Sequence, residues 1–437
     1  MALEPETATL RTYHVGFGDC FLLTLGYGGG EKKHVLIDFG TTQPPDNKSG
    51  ILQQTAADIR QITGGKLTAV VATHRHKDHI EGFRTTDAGD GPGDLIRQCE
   101  PDLVMQPWTE DPDLETDATA PPEHKQFRLA MRDLEAVSGA VHRDAHNFAE
   151  PGLETQLAFL GENNLPNVTA VRNLQAMGKG AAKKAEYVYA NCATSLPDLL
   201  PGVNVSVLGP PTLEQSKAIK KQRSRDEEQF WHLWQQRTLV AKLGFSTGGA
   251  QPTIPETKME PVFPYASRYS PHENPPEARW FRRKMQEMYG GEMLQLVRTL
   301  DKVLNNTSVI LLFEFCGKKL LFPGDAQIEN WSYALDNEDL CEKLKGVDLY
   351  KVGHHGSLNA TPKELWNLFT RKRKDGEGAQ EVLKTVVSTL AGKHGHPEDG
   401  TEVPRTKLVA DLTKYSDYYT TQAMESSQDI FHDIPIL

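Results

Sequence analysis

Thr73-His74-Arg75-His76-Lys77-Asp78-His79 follows directly on the apolar run Leu67-Thr68-Ala69-Val70-Val71-Ala72, and this junction decides how the rest of the chain is read. The apolar run reads as a buried strand. The segment after it places three imidazoles and one carboxylate within six positions. Residues two apart on an extended chain project to the same side. His74, His76 and Asp78 therefore share a side, and His79 turns in where a helix begins. Imidazole and carboxylate together suit zinc or manganese. The whole chain holds 15 histidines, so chance clustering at this spacing is improbable.

One such cluster does not complete a two-metal centre, which needs a bridging group and ligands from elsewhere in the fold. Two later segments offer them. Leu320-Leu321-Phe322-Pro323-Gly324-Asp325-Ala326 puts an acidic residue at the end of a buried strand. Leu349-Tyr350-Lys351-Val352-Gly353-His354-His355-Gly356-Ser357 puts two histidines at the end of another. Taken alone, Asp325 reads as a helix cap, and the histidine pair reads as incidental. Beside the first cluster they become ligand candidates. Neighbours at a strand end point apart, so one of His354 and His355 is expected to coordinate and the other to face substrate. The sequence leaves open which.

TLRTYHV and CFLLTLGY flank the turn Gly16-Phe17-Gly18-Asp19, and HVLIDFG follows a glycine turn at Gly28 to Gly30. These short β-rich runs suggest a meander. GILQQTAADIRQIT has helical spacing and stops at Gly64-Gly65. After Pro101 the pattern weakens. TEDPDLETDATAPPEH reads as an acidic surface loop, FRLAMRDLEAV as a helix and VNVSVLGPP as a strand. A basic then aromatic helical stretch (KAIKKQRSR, FWHLW) leads into a segment dense in Pro, Gly and Ser, too long for an ordinary connection. RWFRRKMQEMYGGEMLQLVRTLDKVL is again helical in pattern. Strands resume with the hairpin SVILLFEF and KKLLFPGD around Gly317, then VLKTVVSTL. The expectation is one α/β domain over residues 1–437, built of two similar halves (about 1–212 and about 304–437). Helical and loop insertions lie between about 105 and 305, chiefly at about 213–303.

The length of 437 residues is ample for a full core. No apolar run approaches bilayer length, and MALEPETATLRTYHV has no basic-then-apolar leader pattern. The five cysteines are odd in number and none forms a C-x-x-C pair. That argues against a disulfide framework, and free thiols point to the cytoplasm. A net charge of −11 argues against tight nonspecific coating of DNA. It leaves a nucleic-acid substrate open, because bound metal ions add positive charge locally.

The ordered motifs resemble the metallo-β-lactamase superfamily, and in detail its ComEC-type competence branch. Val15-Gly16-Phe17-Gly18-Asp19 resembles that branch's V-G-x-G-D opening, and Leu36-Ile37-Asp38-Phe39-Gly40 the superfamily's first motif. His74 to His79 is an intact H-x-H-x-D-H. Asn306-Thr307-Ser308, Gly324-Asp325, His354-His355-Gly356-Ser357 and Gly395-His396-Pro397 resemble the N-x-S, L-x-G-D, H-H-G-S and G-H-P elements. The likeness spans roughly residues 9–90, 200–212 and 306–425. It implies an αββα sandwich with two divalent ions, zinc or manganese. His74 and His76 would hold one ion. Asp78, His79 and one of His354 and His355 would hold the other, with Asp325 bridging. Asp38 would brace the cluster by hydrogen bonds. Asp78 would also orient the attacking water, His396 would stabilise a leaving oxygen or hold phosphate, and Ser357 would donate to a phosphate. The third histidine that the superfamily often adds to the first metal has no counterpart here. His142 and His146, four apart, read better as an exposed helical pair. Nor does the sequence show segments of the kind that branch's membrane channel would carry, so the resemblance is expected to cover only its hydrolase portion.

This fold hosts many hydrolases, so likeness alone leaves the substrate open. The leading expectation is a phosphodiesterase or nuclease acting on nucleic acid or nucleotides. Basic stretches support it (Lys217, Lys220, Lys221, Arg223 and Arg225; Arg279, Arg282, Arg283 and Lys284; Arg371 to Lys374), as do Trp231, Trp234 and Trp280, which suit base stacking. Two alternatives stand beside it: a hydrolase of a small ester, lactone or phosphoester, and an effector gated by protein partners docked on the insertions.

Overall fold

A computed structural model of the chain describes residues 3–46, 48–112, 167–179, 183–212, 214–215, 301, 304–373, 382–390, 392, 402–424 and 429–437. The chain divides into two units. Met1–Pro112, Asn167–Lys220 and Leu304–Leu437 form the first, which holds the whole architecture described below. The second, Asp113–Pro166 and Lys221–Val303, falls almost entirely outside the described residues. So do FRLAMRDLEAV, KAIKKQRSR, FWHLW and nearly all of RWFRRKMQEMYGGEMLQLVRTLDKVL, together with Trp231, Trp234, Trp280, His142, His146 and His396.

Among the described residues, thirteen strands build two mixed sheets. The first carries β1 (Thr7–Tyr13), β2 (Cys20–Gly26), β3 (Lys32–Phe39), β4 (Ala69–Val71), β5 (Leu103–Pro107), β6 (Lys184–Val188) and β13 (Phe431–Pro435), in the order β13-β1-β2-β3-β4-β5-β6. The second carries β7 (Asn204–Gly209), β8 (Ile310–Phe315), β9 (Lys318–Phe322), β10 (Leu349–Lys351), β11 (Lys384–Val387) and β12 (Asp417–Thr420), in the order β12-β11-β10-β9-β8-β7. Within β1–β6 the pairings run antiparallel twice and then parallel three times. Within β7–β12 the same sequence of directions recurs. The two halves are one topology used twice. In it β3 corresponds to β9 and β4 to β10.

Side-chain alternation explains the layers. Phe21, Leu23, Val35 and Ile37 face a core shared with Leu311, Phe313, Phe322, Leu349 and Val386 of the other sheet. Their neighbours Leu22, Leu36 and Val70 point the other way, onto α1 (Ile51–Ile62), α3 (Pro92–Gln98) and α4 (Val168–Met177). The short helices α2 (Lys77–Ile80) and α5 (Leu196–Leu199) sit in the connections. On the second sheet, Leu312, Leu321, Tyr350 and Val387 meet α6 (Ile328–Leu335), α7 (Glu338–Lys345), α8 (Lys363–Leu368) and α9 (Thr406–Tyr415). Strands buried on both faces read as continuous apolar runs. The result is the αββα sandwich expected from the sequence. Residues 167–212 fall inside the expected insertion range yet supply β6 and β7 to the sandwich.

Two buried histidines make the fold acid-sensitive. His14 is fully buried, and neither ring nitrogen has a hydrogen-bond partner. Burial, helped by the charge of Lys48, lowers it to about 4. His34 is lowered to about 4 by burial and by Lys32. The unfolded chain takes up these protons near pH 6.5, but the folded chain does not until about pH 4. Stability contributed by the two neutral rings is full above that window and falls as pH drops through it. The loss is on the order of 2 kcal/mol for the pair after allowing for solvent screening. Urea unfolding at pH 7 and pH 4.5 should show it, with a smaller loss in a His14→Gln/His34→Gln variant.

Candidate metal centre

In open sheets with parallel strands, functional groups collect beyond the carboxyl ends of those strands. The repeated topology uses this four times. Asp38 lies at the end of β3 and Asp325 just past β9; His74 to His79 follow β4; His354 and His355 follow β10. The backbone ties these ends together, since Val309 N–H, leading into β8, donates to the Thr73 carbonyl at 2.9 Å.

Among the described residues, two groups of buried side chains bring ligand atoms within 4.8 Å of one another. Asp78, His79, Asp325 and His355 form the first, and Asp19, Asp38 and His79 the second. His79 belongs to both. In the first group, His355 Nε2 lies 2.8 Å from Asp78 Oδ2. His79 Nε2 lies 3.2 Å from Asp325 Oδ2 and 3.9 Å from Asp78 Oδ2. Asp78 Oδ1, His79 Nε2 and Asp325 Oδ2 are buried and make no hydrogen bond. Such atoms are rare in folded proteins, and an ion is one explanation for them. The donor set of two imidazoles and two carboxylates is of the kind that zinc or manganese takes.

Other bonds fix which imidazole nitrogen faces inward. The carboxylate of Asp38 accepts from Thr73 N–H and from the Thr73 hydroxyl, each at 2.7 Å, and lies 2.8 Å from His79 Nδ1. A carboxylate only accepts, so Nδ1 carries the proton and Nε2 points at the site. His355 Nδ1 likewise donates to the Ser388 carbonyl at 2.8 Å, leaving Nε2 toward Asp78. Asp38 holds a left-handed backbone (φ 55°), as do His354 (φ 48°) and His355 (φ 51°). Strain of this kind persists where surrounding structure enforces it, commonly at functional sites.

The field of the site favours positive charge. Burial works against a charged His79, but Asp325, Asp38, Asp78 and Asp19 outweigh it and hold the ring well above its ordinary value. His355 is raised against burial, chiefly by its bond to Asp78 and by Asp325. Asp78 is brought down to about 2 despite burial, by His79 and His355. Asp325 falls well below the usual carboxylate range despite burial, through His79 and Lys351. His74 goes the other way, pushed well below its ordinary value by burial and by His79 and His76. It stays neutral, the state in which an imidazole ligates.

His74 and His76 fall outside both convergent groups. His74 Nε2 and His76 Nδ1 lie 2.9 Å apart, and the His74 ring centre is 4.1 Å from that of His79. Of the histidine pair, His355 joins the cluster. His354 is half-buried, gives its backbone N–H to Asp325 Oδ1 at 2.8 Å, and has Gln327 Nε2 3.5 Å from its Nδ1. Ser357 is half-buried and donates its backbone N–H to the His354 carbonyl. The 371–374 basic run is structurally engaged in its three described members. Arg371 pairs with Asp348 and Arg373 with Asp417, while Lys372 donates to the Trp366 carbonyl.

Sequence reasoning gave no role to Lys351, which lies buried among the acids, or to Asp19, the last residue of the opening motif. Backbone bonds explain that motif. Asp19 N–H donates to the Asp78 carbonyl at 2.9 Å, and Gly40 N–H donates to the Asp19 carbonyl at 3.0 Å. A Cβ on Gly18 would sit 2.2 Å from the Gly40 carbonyl oxygen and 2.7 Å from Thr41 Cα. Gly18→Ala should therefore destabilise the protein by about 3 kcal/mol, at the upper end for overpacking, because backbone cannot swing aside. Gly346→Ala, where the nearest atom is the end of the Lys319 side chain at 3.9 Å, serves as the near-neutral control in denaturant unfolding. Asn306 and Ser308 explain the N-x-S element. Asn306 Oδ1 accepts from Gln327 and Asn330 N–H at the start of α6, and Ser308 Oγ accepts from Asp325 N–H.

No protein-family model and no curated protein matches this chain. No helix among the described residues is long and apolar enough to cross a membrane. An αββα sandwich with two clustered groups of potential metal ligands, sharing His79, is what the structure presents, and it is consistent with the metallo-β-lactamase superfamily.

Proposed function

We propose that this protein is a dinuclear metal-dependent hydrolase that cleaves phosphodiesters in nucleic acid or nucleotides. The observation that carries the metal reading is the set of orphaned, buried ligand atoms on Asp78, His79 and Asp325 beside His355 Nε2. Asp78, His79, Asp325 and His355 would hold one ion, and His74 and His76, adjoining through the His74–His79 ring contact, would serve the other. Divalent ions held there supply Lewis acidity and acidify an attacking water. The chain's own part is orientation. Asp38 and the Ser388 carbonyl lock the two tautomers, and Asp78 lies 2.8 Å from His355 Nε2, placed to accept a proton at Oδ2. His354 and Ser357 stand at the half-buried margin, where a phosphate would be met, and His396 is proposed to hold the leaving oxygen. The phosphodiester assignment draws its support from the ordered H-x-H-x-D-H and H-H-G-S elements. A cytoplasmic location draws support from five cysteines that are all free thiols.

The test is a titration of metal-free protein with Zn²⁺ and Mn²⁺, followed by a substrate panel. Single-stranded and duplex DNA and RNA are set against generic phosphodiester, ester and lactam reporters. Binding of two ions with nucleic-acid cleavage is expected. Failure to bind divalent ions would end the metal reading, and turnover of small esters alone would end the nuclease reading.

A further inference from the structure

Lys351 stands at the end of β10 and is fully buried. Its ammonium hydrogen-bonds two oxygens and is ion-paired with a third. The Gly324 carbonyl lies 3.0 Å away, Asp325 Oδ1 lies 3.2 Å away, and the third is Asp19 Oδ2. Asp325 Oδ1 is held a second time by His354 N–H at 2.8 Å. The other oxygen of the same carboxylate, Oδ2, has no hydrogen-bond partner and sits 3.2 Å from His79 Nε2. One half of Asp325 is thus fastened by the protein, and the other half is left exposed to the centre.

We propose that Lys351 is a positioning residue: neutralised by Asp19, it clamps one oxygen of Asp325 so that the carboxylate meets a cation through Oδ2 alone. Asp19 then acts as counter-ion to Lys351. This rests on the metal-centre reading above. The physical case is one of preparation. A buried carboxylate that turns freely must be ordered by the incoming ion, and that ordering opposes binding. A carboxylate already held does not incur it. A lone ammonium beside a cation site would repel the ion, but here its charge is cancelled by the nearest carboxylate. Orientation is what remains.

That cancellation supplies the experiment. The double variant Asp19→Asn/Lys351→Met removes one negative and one positive charge, leaving the field at the centre nearly unchanged while abolishing the clamp. Zn²⁺ binding to metal-free protein is read by calorimetry, with circular dichroism and thermal unfolding as checks on the fold. A folded double variant should bind Zn²⁺ at least ten-fold more weakly than wild type. Equal affinity would overturn the proposal, and absence of binding by the wild type would instead remove the metal reading. Asp19→Leu/Lys351→Met provides a second charge-balanced pair, since apolar replacement of a buried ion pair is often tolerated. A crystal structure of the zinc-loaded wild type decides independently of any variant. Asp325 should bond zinc through Oδ2 with Lys351 still on Oδ1, and a carboxylate bound through both oxygens would refute the clamp.

Discussion

Asp325→Asn should leave the fold intact, yet weaken divalent-ion binding by about 100-fold and turnover by about 10³-fold or more, the latter equivalent to about 4 kcal/mol of transition-state stabilisation. The substitution is nearly isosteric. Its amide oxygen can still accept from Lys351 and from His354 N–H where Oδ1 accepts now. The amide nitrogen would then replace Oδ2, the buried oxygen that no hydrogen bond satisfies. A neutral NH₂ there offers no lone pair to an ion and faces His79 Nε2 across the present 3.2 Å gap. Asp78→Ala should have a comparable effect from the opposite side of the cluster, because it removes the partner of His355 Nε2. Calorimetric titration with Zn²⁺ and Mn²⁺, run beside phosphodiesterase assays, measures both quantities. If Asp325→Asn binds ions as the wild type does, Asp325 is no ligand and the centre must be redrawn around other groups.

What the sequence revealed and what it hid follow from the range over which each signal acts. Asp78 and His79 were legible as candidates because the pattern is local: a buried strand fixes its direction, and α2 begins at Lys77, which turns His79 inward. Asp325 and His355 were legible as candidates for the same reason, lying at strand ends in the second copy of one topology. Choosing His355 over His354 required the backbone, where both residues adopt a left-handed conformation and only His355 enters the cluster. Lys351 was invisible because a lysine in a sequence reads as solvated, and nothing local tells of its burial between two acids. β5 and β6 escaped because short parallel strands carry no alternation. Leu103-Val104-Met105 is simply an apolar run after a proline. β13 escaped because its residues alternate weakly. It is held to β1 by Arg11, which pairs with Asp433 and lies 3.4 Å over the Phe431 ring. Those are contacts between opposite ends of the chain.

Replacing Asp38 separates the part of the centre that holds the fold from the part proposed to hold an ion. Asp38→Ala should cost about 3–5 kcal/mol of stability, because it strands two buried donors, Thr73 N–H and His79 Nδ1–H, and leaves the Thr73 hydroxyl only His74 Nδ1 as a partner. It would also force alanine into the left-handed backbone that Asp38 now occupies. Asp38→Asn should behave differently. Asparagine tolerates that backbone, and its carbonyl can still accept from Thr73 N–H, so stability should fall by only about 1–2 kcal/mol. Its NH₂, however, would face His79 Nδ1 in place of a carboxylate oxygen. A donor opposite Nδ1 makes that nitrogen an acceptor and moves the ring proton to Nε2, the nitrogen that must be bare to ligate. Ion affinity should then drop 10–100-fold, the usual penalty for losing a ligand's orienting partner. Urea unfolding in the presence of chelator reads the first effect free of ligand stabilisation, and Zn²⁺ calorimetry reads the second. An Asp38→Asn protein that binds Zn²⁺ with wild-type affinity would show that the Asp38–His79 bond serves packing alone.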